Sequence, residues 1–106
     1  MDKNTVIEII ERFRKALDKQ GVRVERLILY GSFAYGTPHE GSDIDLIVIS
    51  EDFAPLDFWG RIDVLTEALY EVFEPIEAIA MTQKEWDNRE FSIVDYACDG
   101  EVVYAA

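Results

Sequence analysis

Two carboxylates with one residue between them, Asp43 and Asp45, stand at the start of an otherwise apolar run, DIDLIVIS. In a strand, alternate side chains share a face, so the two acids point the same way, about 7 Å apart along the backbone. Like charges at the mouth of an apolar strand repel each other and resist burial. A hard divalent cation resolves both problems, since Mg²⁺ is commonly held by one or two carboxylates together with substrate phosphates. Upstream, the apolar run LILY breaks at Gly31-Ser32. A Gly-Ser turn that opens a helix offers free backbone N–H groups and a hydroxyl, which is a seat for phosphate. A third acid, Glu77, lies inside another apolar run, IEAIAM, where an unpaired charge would be costly to bury. Should that run lie beside the first, the three acids would form a cluster suited to Mg²⁺ or Mn²⁺.

Other motif readings fail. Ile47 and Val48 stand where a calcium loop needs further oxygen ligands and a glycine. No Gly-Lys-Ser/Thr follows Gly31-Ser32, so the turn is not a P-loop. One His and one Cys are too few for a zinc site. Gly31-Ser32, ten intervening residues and then Asp43-Ile44-Asp45 resembles the signature of the nucleotidyltransferase superfamily related to DNA polymerase beta, and in particular its minimal nucleotidyltransferase (MNT) group. The resemblance implies metal at Asp43, Asp45 and Glu77, β- and γ-phosphates of ATP at Gly31 and Ser32, and transfer of a nucleoside monophosphate to a hydroxyl. Relatives usually carry Asp where this chain has Glu77. MNT proteins are often paired with HEPN-domain proteins as antitoxin and toxin, so the resemblance also implies a HEPN-type partner. The alternative is a nucleotidyltransferase fold that has lost catalysis and acts by protein contact or nucleotide sensing.

The 106 residues suit a single domain, 1–106, and 49% hydrophobic residues support a globular core. The formal net charge is −12, and from Leu27 to Gly60 there is no Lys or Arg. Such a surface repels nucleic-acid phosphates, which excludes general nucleic-acid binding and favours a basic protein partner. A triphosphate at the motif would depend on metal ions for most of its charge compensation. No apolar run nears the length of a membrane span, and MDKNTVIEII lacks a signal-peptide core, which together point to a cytoplasmic protein. The lone Cys98 agrees with a reducing compartment and reads as a small buried residue.

These residues need elements to position them. Thr5 with Glu8 has the form of a capping box, and Val6, Ile10, Phe13 and Leu17 follow at helical spacing, predicting a helix over 5–20 that Gly21 ends. A strand over 24–30 leads to the Gly-Ser turn, and Phe33 to Tyr35 makes one helical turn. His39, the only histidine, reads as an exposed loop residue. The strand over 43–50 has two apolar faces and therefore a central place. Phe58, Ile62, Leu65, Leu69 and Val72 predict one buried face of a helix over 57–73, with Trp59 and Tyr70 off that stripe, turned to another element or a second chain. A strand over 76–81 follows, then a capping box at Thr82 and Glu85, and a helix over 90–98 with Phe91 and Val94 inward. Val102 to Tyr104 makes a short last strand. The order predicts an α+β fold: a small mixed sheet with helices packed mainly on one side.

Overall fold

The computed structural model describes residues 1–36 and 41–106. Its elements are α1 (Lys3–Lys19), β1 (Arg26–Tyr30), α2 (Ser32–Tyr35), β2 (Ile44–Ile49), a 3₁₀ turn (Glu51–Phe53), α3 (Phe58–Val72), β3 (Ile76–Met81), α4 (Gln83–Asp87), α5 (Ile93–Ala97) and β4 (Glu101–Ala105). The expected His39 lies outside the described residues.

The four strands form one mixed sheet in the order β3-β2-β1-β4. β1 runs antiparallel to both β2 and β4, whereas β2 and β3 are parallel and joined by α3 as the crossover. The two apolar faces of β2 decide this arrangement. Ile44, Leu46 and Val48 pack with Val6, Phe13 and Leu17 of α1 and Leu65, Ala68 and Val72 of α3. Ile47 and Ile49 turn the other way, toward Val94 and Ala97 of α5, with Trp86 of α4 packed against the same cluster. The two long helices thus share one face of the sheet and two single-turn helices cover part of the other, which is the predicted mixed sheet with helices mainly on one side.

Local chemistry explains most boundaries. Asp2, not Thr5, caps α1: its carboxylate accepts from the Thr5 N–H at 2.8 Å, so the helix starts two residues before the predicted position and the Thr5–Glu8 box does not form. Gly21 adopts φ +86 just past the helix, and the Gly21 and Val22 N–H groups close back on the Asp18 and Leu17 carbonyls. That left-handed closure is inexpensive only for glycine. Thr82 and Glu85 form the expected capping box on α4. Glu85 also meets Arg61 of α3 at 2.7 and 3.2 Å, and the Arg61 Nε donates to the Phe53 and Leu56 carbonyls. One guanidinium therefore ties the 3₁₀ turn, α3 and α4 together.

Four residues expected inside are outside. Phe58 and Ile62 begin the predicted α3 stripe but stand 65% and 37% exposed, because α3 meets the sheet only from Leu65 onward. Phe91 precedes α5 instead of lying within it and is exposed as well. Cys98, expected to be buried, is exposed at the end of α5, where Ala97 takes the inward position. Trp59 and Tyr70 face outward from α3.

Gly100 lets β4 return beside β1. A Cβ there would stand 2.6 Å from the Leu29 carbonyl oxygen, 2.9 Å from Ile28 Cγ2 and 3.0 Å from the Ala97 oxygen, none of which is a flexible chain end. Gly100→Ala should therefore destabilise the fold by about 1–3 kcal/mol, the usual cost of overpacking. Urea unfolding of the variant and the parent tests this, and equal midpoints would show that the α5–β4 turn relaxes freely.

Candidate active site

The parallel register of β2 and β3 builds the site. It sets Asp45 directly opposite Glu77, one residue pair after Ile44 and Ile76. On β2's other flank the antiparallel register sets Tyr30 opposite Asp45. Odd-numbered residues of both acidic strands share the face that carries Ile47, Ile79 and Met81, so Asp45 and Glu77 project together at its end. The charge of Glu77 acts directly on Asp45. Asp43 stands just before β2, exposed, and its charge also acts on Asp45.

Gly31 closes the site from above. It has φ +75 and caps α2. A Cβ at this position would overlap Asp45 Oδ2 and lie 3.1 Å from the Asp45 Cγ. The turn therefore needs glycine for two reasons: the left-handed backbone and the carboxylate pressed against its Cα. Ser32, half-buried, begins α2, whose single turn is closed by Ala34 and Tyr35 N–H groups donating to the Gly31 carbonyl. The first-turn N–H groups of Ser32 and Phe33 have no acceptor within the helix.

Electrostatics follow from this crowding. Burial, then the charges of Glu77 and Asp43, and last a hydrogen bond that the protonated carboxyl donates to Glu77, push the Asp45 carboxyl up to about 6. The buried Tyr30 phenol is pushed up to about 12 by burial first and then by Asp45, Glu77 and Tyr96. No ion pair among the described residues involves Asp43, Asp45 or Glu77. Among the described residues, too, no three His, Cys, Asp or Glu side chains form a ready metal shell. The donor set is an adjacent pair of carboxylates with a third acid at the strand mouth. Such oxygen donors fit a hard divalent ion whose remaining ligands are water and substrate phosphate.

All five residues singled out in the sequence, Gly31, Ser32, Asp43, Asp45 and Glu77, thus lie at one end of the sheet. Glu77 sits on an edge strand and is exposed, yet it is in register with Asp45 and its charge acts on it. Sequence reasoning missed Tyr30. Its ring makes an edge contact with Tyr96 at 5.9 Å between centroids, and the Tyr35 hydroxyl donates to the Tyr96 carbonyl at 3.2 Å. These contacts tie α5 to the Gly-Ser turn, so Tyr35 supports the site by packing. The position of Tyr30, two residues before Ser32 at the end of a strand, was the available signal.

Comparison with known proteins gives the same picture. A model of the nucleotidyltransferase domain family matches residues 10–97. A candidate protein adenylyltransferase of Methanocaldococcus jannaschii is 32% identical over 81 residues, which cover 76% of this chain and 77% of the relative. A candidate nucleotidyltransferase from Sulfolobus solfataricus superimposes with a TM-score of 0.72 at 14% identity, covering 95% of this chain and 81% of that one. A toxin–antitoxin structure with AMP-PNP superimposes with a TM-score of 0.62 at 18% identity, covering 91% and 73% respectively. At those identities the two solved structures establish the fold alone, whereas the family match spans most of the sequence. With the turn, the paired acids and the sheet that joins them, this chain belongs to the nucleotidyltransferase domain family and is a nucleotidyltransferase.

Proposed function

We propose that residues 1–106 form a single metal-dependent adenylyltransferase domain that moves AMP from ATP onto a hydroxyl of a partner protein. The partner is a HEPN-type toxin, and the chain acts as its antitoxin. The observation that carries the catalytic part is the in-register facing of Asp45 and Glu77 beneath Gly31. The Asp45 carboxyl, whose proton affinity is raised by burial and by the charges of Glu77 and Asp43, is poised to accept a divalent cation or a proton. The protein acceptor is supported by the relative described as a candidate protein adenylyltransferase and by the fold shared with a toxin–antitoxin structure. The HEPN identity is supported by the resemblance to the MNT group.

In this reading Asp43, Asp45 and Glu77 hold Mg²⁺ or Mn²⁺, and Gly31 and Ser32 hold the β- and γ-phosphates of ATP. The bound ion supplies charge neutralisation on the phosphates and makes the acceptor hydroxyl more acidic. The acceptor oxygen forms a bond to the α-phosphorus as the bond from that phosphorus to the pyrophosphate oxygen breaks. Pyrophosphate leaves with the bonding electron pair. Glu77 serves either as third metal ligand or as the carboxylate that takes the hydroxyl proton. The Gly31 backbone, with its Cα against the Asp45 carboxylate, fixes the phosphate seat relative to the acids.

Three outcomes test the assignment. Calorimetric titration with Mn²⁺-ATP should show binding that the Asp43→Asn/Asp45→Asn pair abolishes without unfolding the chain; equal binding by the pair would remove the metal site from these residues. Glu77→Gln keeps the volume and removes the charge. Transfer of labelled AMP to the partner should then fall by about 10²-fold or more, the scale for losing a positioned acid–base group, while Mn²⁺-ATP still binds. Undiminished transfer would send the search to another acid.

The third outcome is a pH dependence. Asp45 is held near 6 when folded against 3.8 when free, so between those values the folded chain binds more protons than the unfolded one. The stability that Asp45 contributes is therefore fully present below about 3.8 and lost as pH rises through 6. Its partial exposure screens this to on the order of 1 kcal/mol, or roughly 4–8 °C in Tm. Asp45→Asn should melt higher than the metal-free parent at pH 7.5 and show a smaller gain at pH 5. Mn²⁺ should narrow the pH 7.5 gap by stabilising only the parent. A gain of the same size at both pH values would show that Asp45 is not strained by its acidic neighbours.

A further inference from the structure

Phe58, Ile62 and Phe91, apolar residues that periodicity assigns to the core, are left exposed and converge on one place. They line an open groove of about 690 Å³ along the free edge of β3. α3 forms one wall through Phe58, Ile62 and Leu65, the segment around Phe91 and Ile93 forms the other, and Ala78, Ile79 and Ala80 of β3 make the floor.

β3 is the outermost strand on this side of the sheet. Its hydrogen bonds to β2 include the Pro75 carbonyl accepting from Ile44 N–H and the Met81 carbonyl accepting from Ser50 N–H. In a parallel pair, alternate residues turn their backbone groups to the partner. Those of the odd-numbered residues face β2, so those of Ala78 and Ala80 face the groove. Natural edge strands are usually blunted by a charge, a proline or a bulge within the strand. β3 carries one charge, Glu77, whose own backbone groups face β2; the residues whose backbone groups face the groove are two alanines, small enough to let another backbone approach. On the same strand Glu77 lies next to Ala78, so the groove leads to the acid pair.

The charge of the walls narrows the choice of occupant. Arg61 is already paired with Glu85, whereas Asp57 and Glu90 line the groove without an ion pair among the described residues. A second copy of a chain with net charge −12 would bring like charge to an acidic groove. We propose that this groove takes an extended, Lys- or Arg-bearing segment of the acceptor protein. The segment adds as a strand on Ala78 and Ala80 and leads its hydroxyl residue toward Glu77. From Ala80 to Glu77 is about 10 Å of strand, so the modified residue lies about three to four positions beyond the one paired with Ala80. This rests on the reading that the acceptor is a protein.

The test uses the whole chain and a library of synthetic nine-residue peptides. Each peptide carries one Tyr, Ser or Thr, alternating β-branched residues and a Lys at either end. Amide hydrogen exchange and NMR chemical shifts report binding, and labelled ATP with Mn²⁺ reports transfer independently. Binding peptides should protect the Ala78 and Ala80 amides and shift the Phe91 amide. Phe58→Glu/Phe91→Glu, at exposed wall positions, should weaken that binding by about tenfold or more, as for interface anchors, with Mn²⁺-ATP affinity and unfolding midpoint unchanged. Peptides that protect other elements, a library that yields no binder, or equal binding by the double variant would overturn the groove assignment. So would concentration-dependent protection of Ala78 and Ala80 with a doubled mass and no peptide, which would assign the edge to a second copy. Peptide binding in the groove without AMP transfer would support the docking surface and count against the adenylyltransferase reading alone. Transfer to a protein acceptor that the double variant performs at an unchanged kcat/KM would sink the groove and leave the activity standing.

Discussion

The site depends on one repulsion held in place by hydrogen bonds. The parallel pairing of β2 with β3 sets Asp45 opposite Glu77, and every ladder bond between those strands would have to shift to separate them. A slip of one residue would also turn Ile47 and Ile79 out of their core. The apolar packing of the strands thus keeps two acids closer than they would choose. Asp45 responds by holding its proton toward neutral pH, with Gly31 pressed against its carboxylate.

The rest of the fold keeps that pair from relaxing. α1 and α3 clamp one face of the sheet, with Gln20 donating to the Val64 carbonyl at 3.0 Å and Arg12 to the Val72 carbonyl at 3.1 Å. On the other face the contacts between Tyr30, Tyr35 and α5 hold the Gly-Ser turn beside β2. The left-handed Gly31 joins these layers, because a bulkier residue would displace either the turn or Asp45. Packing of this kind leaves the acid pair preorganised, with little room to rearrange.

Acidity shapes the chemistry as well as the surface. The chain supplies no cation between Leu27 and Gly60, and among the described residues no ion pair reaches the three acids. The neighbouring groove is apolar on its floor and acidic at its margins. In the proposed reading, charge compensation for a triphosphate comes from ions and complementarity toward a partner from the partner's own basic residues.

By itself, the sequence determined the parts whose signals are local. Alternation fixed the two faces of β2 and β3, the Gly-Ser turn fixed where β1 stops, and Thr82 with Glu85 fixed the start of α4. The resemblance carried by Gly31-Ser32 and Asp43-Ile44-Asp45 fixed the family. Only the tertiary structure decided what depends on register and on neighbours far along the chain. The pairing of Asp45 with Glu77, the place of Tyr30 across from Asp45, and the steric need for Gly31 are contacts between separate elements that no periodicity encodes. The same limit explains Phe58, Ile62 and Phe91. Spacing shows that residues are apolar and share a face, but whether that face meets a sheet or an open groove is set by where α3 touches β3. Asp2 is the converse case: a cap is local chemistry, but two nearby capping residues compete for the helix start, and only the folded geometry shows which hydrogen bond forms.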